Sequence, residues 1–84
     1  VFSYEIISGI EMKEMIEYFK LISKVQKEEH RFVGDGWTVE LTPLPRSSNQ
    51  RLNIPRTKVM FYGNETVCRD IIMKYRYKFM RGGG

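Results

Sequence analysis

Residues 31–41 read RFVGDGWTVEL, two alternating runs around Gly34-Asp35-Gly36. A glycine-bearing tight turn between alternating apolar segments is a hairpin signal, because such turns need backbone angles that most side chains resist. Arg31-Phe32-Val33 and Trp37–Leu41 therefore read as paired strands, with Trp37, Val39 and Leu41 on one face directed at a core. Working outward, Phe2, Tyr4 and Ile6 alternate with Ser3 and Glu5, which gives an earlier strand. Ile54 through Tyr62 supplies another, and Pro55 near its start suits an edge or the first residues of a strand, where no ladder hydrogen bond is lost.

Helices fill the spaces between. Ser8-Gly9-Ile10-Glu11 spells a capping box, and Met12, Met15, Ile16, Phe19 and Ile22 follow at spacings of three and four, so an amphipathic helix is expected to end near Lys24 to Lys27. Residues 43–53 (PLPRSSNQRLN) carry the proline and polar content of a loop. Asn64 is a good N-cap and Glu65 suits the positive end of a helix dipole, so a second helix is expected to run to about Arg81, with Gly82 beyond its end. Asn64-Glu65-Thr66 also spells a glycosylation sequon, for which the capping reading is preferred. The fold expected is α+β and two-layered: a largely antiparallel four-stranded sheet with two helices on one face, in the order β-α-β-β-β-α. Residues 1–81 make one domain and residues 82–84 a glycine tail.

With 84 residues, folding buries only about 60–65% of the surface the open chain exposes, so the core is thin. Hydrophobic residues are 42% and aromatics 13%, which suits a folded chain. A single cysteine, Cys68, excludes an internal disulfide and a cysteine-based zinc site. Without an apolar amino-terminal run or a stretch near the ~20 residues of a membrane span, the expected location is cytoplasmic, with no membrane partner.

The second expected helix has two faces. At 100° per residue, Cys68, Ile71, Ile72, Tyr75 and Phe79 share the sector that packs on the sheet. Met73, Tyr77 and Met80 fall far around the wheel, flanked by Arg69 and Arg76 on one side and by Lys74 and Arg81 on the other. Methionine, tyrosine and arginine are enriched at protein contact surfaces. Arg69, Met73, Arg76, Tyr77 and Met80 are therefore the expected interface, for a protein partner or for self-association.

Charge offers a second reading. Net charge is +4, yet residues 1–45 carry five Lys/Arg against eight Asp/Glu, and residues 46–84 carry nine against two. Arg46, Arg51, Arg56, Lys58, Lys74, Lys78 and Arg81 are candidates for anion binding, and with Tyr62 or Tyr77 available to stack they keep nucleic acid open as a partner. Catalysis finds no support. Cys68 lies on the core side of its helix, Ser47 and Ser48 have no assignable base, and Glu14 and Glu17 sit on a polar face with lysines nearby. His30, beside Glu28, Glu29 and Asp35, reads as a solvated loop rather than a metal site. The expectation is a chain that is not an enzyme and holds neither metal nor cofactor.

FSYEIISGIEMKEMIEYFKL, the hairpin RFVGDGWTVEL, LNIPRTKVMFYGNETVCRDII and the terminal RGGG together resemble the carboxyl-terminal domain of MoaD-related proteins, a family linked to molybdopterin cofactor biosynthesis. In that family such a domain follows a β-grasp sulfur-carrier domain. The resemblance implies a β-α-β-β-β-α domain and an association with molybdopterin or sulfur-transfer chemistry, and it brings no catalytic residues. Gly82-Gly83-Gly84 keeps open a carrier whose terminal carboxylate is activated. Here, however, the glycines follow an expected helix, whereas in ubiquitin-like carriers the tail follows a strand.

Overall fold

The computed structural model describes residues 1–45 and 54–80, the side chain of Met80 excepted. Among the described residues the order is β1 (Phe2–Ser8), α1 (Met12–Ile22), β2 (Val25–Glu28), β3 (Arg31–Gly34), β4 (Trp37–Leu44), β5 (Arg56–Gly63) and α2 (Glu65–Met80). The sheet runs β1-β5-β4-β3-β2 and every neighbouring pair is antiparallel. This is the expected two-layer α+β architecture with one strand more than expected.

The extra strand is β2. Its segment VQKE has no residue buried and pairs only with β3, through a register shift between Gln26 and Glu28. A strand wet on both faces leaves no apolar alternation to read. The segment therefore passes for the charged end of a helix. In fact α1 stops at Ile22, where the Ser23 N–H donates to the Phe19 carbonyl at 3.0 Å and the Ser23 backbone turns extended.

Two further expectations are corrected. No capping box forms: Ser8 is the buried last residue of β1, its hydroxyl accepts from the Ile10 N–H at 3.1 Å, and α1 begins after Glu11 without a side-chain cap bond. Pro43 and Leu44 lie in β4 rather than in a loop, opposite Thr57 and Arg56. Proline is tolerated there because β3 has already ended its pairing at Glu40, which leaves β4 a ladder neighbour on the β5 side alone. Pro55 immediately precedes β5, a strand interior to the sheet, so it takes the strand-start position and not an edge.

The hairpin turns on Asp35-Gly36, with Gly34 opposite Trp37 and Gly36 at φ 82°. Gly63, at φ 137°, is flanked by both Phe2 and Trp37, and a Cβ there would lie 2.5 Å from the Gly36 carbonyl oxygen. Trp37 can close this corner only because Gly34 and Gly63 lack side chains.

Both helices cover one sheet face. Phe19 of α1 is the hub, its ring centroid 5.9 Å from Tyr75, 6.1 Å from Phe32, 6.1 Å from Phe61 and 6.3 Å from Trp37. Met15, Val39, Leu41, Val59, Cys68, Ile71 and Ile72 complete the core around it, and the Tyr75 hydroxyl donates to Met15 Sδ at 3.8 Å. Burial pushes the Tyr75 phenol up in pKa. On the opposite face, Arg31 and Glu40 are cross-strand partners and ion-paired, Arg31 Nε donating to Glu40 Oε2 at 2.7 Å and the Tyr62 hydroxyl to the same oxygen at 3.0 Å. The Arg31 hydrogen bond, acting against partial desolvation, holds the Glu40 carboxyl below its usual range.

Candidate interaction surface

α2 owes its start to Asn64, whose Oδ1 accepts from the Val67 N–H at 3.0 Å while its carbonyl accepts from the Cys68 N–H at 2.8 Å. That geometry is an N-cap. Once started, the helix buries Cys68, Ile71, Ile72 and Tyr75 and half-buries Phe79, as its periodicity requires. Burial raises the Cys68 thiol pKa, which suits a small packed hydrophobe better than a nucleophile.

The other face is open. Met73 is 68% exposed and Tyr77 74% exposed, among the largest apolar exposures on the molecule. Two shallow grooves meet at Met73. One, of about 470 Å³, is lined by Asp70, Met73, Lys74, Tyr77 and Lys78. The other, of about 320 Å³, lies between α2 and β1 and is lined by Phe2, Tyr4, Arg69, Ile72, Met73 and Arg76.

The flanking arginines are held in place. Arg69 ion-pairs with Glu65 at 2.8 Å and stands over the Phe2 ring at 5.1 Å from its centroid. Arg76 donates to the Tyr4 hydroxyl at 2.7 Å and lies 5.6 Å from that ring's centroid. Such pairing reduces the freedom each guanidinium would lose on binding, so the rim is partly organised in advance. Lys74 is bound to Asp70 at 3.1 Å on the far side of the stripe.

Phe2 and Tyr4 are the residues that sequence reasoning missed here. Alternation assigned both to the buried face, and both do point to the helix side. But β1 is the edge strand and α2 leaves its first half incompletely covered, so Tyr4 remains 40% exposed. Leu21, 83% exposed, was also unassigned; it breaks the three-four spacing of α1 and borders a groove of about 340 Å³ with Glu14, Glu17, Tyr18, Lys78 and Phe79. Burial raises the Tyr18 phenol pKa against the opposing pull of Lys74.

The described candidate anion-binding residues, Arg56, Lys58, Lys74 and Lys78, do not share one face. Lys58 lies on the sheet face away from the helices, close enough to Glu40 to act on its charge, whereas Lys74 and Lys78 are on α2. Arg56 is the exposed first residue of β5. Arg46, Arg51, Arg81 and the tail Gly82-Gly83-Gly84 lie outside the described residues, as does the side chain of Met80. His30 sits in the turn before β3, its carbonyl accepting from the Leu41 N–H at 2.9 Å, and no group of three His, Cys, Asp or Glu side chains suited to a metal occurs among the described residues. No helix among them is long and apolar enough to cross a membrane.

In comparison with known proteins, the family model described as "Archaeal MoaD-like protein" fits residues 4–84. No curated protein and no solved structure matches the chain.

Proposed function

Taking as premise that the chain belongs to the archaeal MoaD-like family, we propose that it is a non-enzymatic accessory domain of molybdopterin or sulfur-transfer chemistry that works by binding protein. Its contact surface is the outward stripe of α2, Met73 and Tyr77, with Arg69 and Arg76 as its organised rim. The observation that carries this reading is the exposure of two large side chains, Met73 and Tyr77, one turn apart on a helix whose opposite face is fully engaged in the core. A contiguous apolar patch rimmed by cations is a contact surface when nothing in its own subunit covers it.

The test is binding of the β-grasp sulfur-carrier protein from the same cell, followed by calorimetry, for wild type and for Met73→Glu/Tyr77→Glu. Both substitutions lie on the solvent side of α2, so the variant should unfold within about 0.5 kcal/mol of wild type while losing about tenfold or more in affinity. Equal affinities would remove the α2 stripe as the contact surface.

A further inference from the structure

The two edges of the sheet are built differently. β2, at one edge, has four residues, a register shift and Lys27 in its middle, each a device that discourages pairing with another chain. β1, at the other, has seven residues in unbroken register with β5, contains neither proline nor lysine and carries a single charge, Glu5, on the face away from the helices; among the described residues nothing pairs its outer edge. Tyr4 and Ile7, 40% and 47% exposed, stand on its two faces.

We propose that the outer edge of β1 pairs antiparallel with β1 of a second copy of this chain, joining two sheets into one. The proposal rests on the reading of α2 as a contact surface and assigns its β1-facing flank to a second copy, leaving the outer groove at Tyr77 to the carrier. A two-fold axis through the seam satisfies both open edges at once and leaves no further edge of that kind exposed. Geometry favours a second copy over a lone foreign strand. α2 packs over β5, so across β5-β1-β1-β5 the two α2 helices would lie three strand spacings apart, about 14 Å. That is wider than the 8–10 Å of ordinary helix contact, and long side chains must fill the gap. Arg69, Met73 and Arg76 are such side chains and point that way. A bare peptide strand would leave Met73 and the Tyr4 ring wet.

Area supports the same occupant. Seven residues make a seam about 24 Å long, and sheet plus helix layer makes it about 20 Å deep, so the pair buries roughly 1,000 Å² in total. This meets the roughly 1,000 Å² that a weak biological interface needs, which two side chains of α2 alone do not.

Sedimentation equilibrium of the 84-residue chain should show a species of twice its 10.0 kDa mass. Ser3→Glu/Ile7→Glu, which adds to the Glu5 charge along the seam on the face away from the core, should weaken self-association about tenfold or more. A wild type that stays monomeric at the highest concentration overturns the proposal. So does a folded glutamate variant that associates as tightly as wild type. Should that variant fail to fold, hydrogen exchange on wild type decides: Phe2–Ser8 amides that slow with rising concentration support the seam, and concentration-independent exchange overturns it. The α2 reading is judged separately by carrier binding of Tyr77→Glu, because Tyr77 lines only the outer groove. Loss there with the double-mass species intact leaves the seam standing; loss of the seam with carrier binding intact leaves the α2 stripe standing.

Discussion

At the scale of single residues, two glycines differ in what they can become. A Cβ at Gly34 would sit 2.1 Å from Trp37 Nε1, and the indole cannot swing aside because Trp37 is buried against the core. At Gly9 the nearest atom would be 3.8 Å away. Gly34→Ala should therefore cost about 1–3 kcal/mol by overpacking, and Gly9→Ala should stay close to neutral, both measured by urea unfolding. Glu40 gives a pH prediction. Its carboxyl is held below the usual range mainly by the Arg31 hydrogen bond, so the pair's contribution is present above the unfolded carboxylate pKa and is lost as pH falls through the depressed value. With Arg31 and Glu40 side chains 40% and 38% exposed, solvent screening keeps that contribution small. The stability difference between wild type and Glu40→Gln should accordingly be largest near neutral pH and shrink in acid, by urea midpoints. A difference that grows in acid would refute the assignment.

Elements differ in how far their sequence announces them. α2 is legible because its two apolar stripes lie on different sectors: one has the sheet to pack on, and the other, at Met73 and Tyr77, stays largely exposed. Asn64 announces its start for the same local reason, since a side-chain oxygen three residues before Val67 reaches that N–H. α1 shows the reverse at its start. Ser8-x-x-Glu11 has the spelling of a capping box, but the Ser8 backbone is committed to pairing with Thr57, and a serine in a strand cannot also be an N-cap. The β1 edge and the α2 stripe meet at Met73, so substitutions there report on both surfaces, whereas Tyr77 lines the outer groove and Ser3 and Ile7 report on β1 alone.

For the whole molecule, the deciding quantity is how little core an 84-residue chain can assemble. Five ring pairs around Phe19 bring together side chains from α1, β3, β4, β5 and α2, so this one residue joins most of the elements. Phe19→Ala should cost about 3–5 kcal/mol. Against a total stability of roughly 4–13 kcal/mol for this length, that places the variant near or beyond its folding limit. Loss of the near-ultraviolet dichroism of Trp37 at 25 °C, or a urea midpoint shifted by the corresponding amount, checks it; a shift below about 1 kcal/mol would show that the ring cluster is not the hub.

The fold class and the family were legible in the sequence, because alternation, helical spacing and turn glycines are local signals and the matched segments span nearly the whole chain. Most of the candidate surface was legible as well: Met73 and Tyr77 were left over once the core stripe of α2 was drawn. β2 was not legible, since a strand exposed on both faces gains its stability from pairing with β3 and leaves no apolar pattern behind. Nor was the role of Phe2 and Tyr4, because alternation says which side of a sheet a residue faces and not whether a helix reaches far enough to cover it. Strand order decided that. By carrying β1 to the edge beside β5, the tertiary structure put Tyr4 under Arg76 and left a seven-residue ladder of main-chain groups whose outer side no described residue pairs.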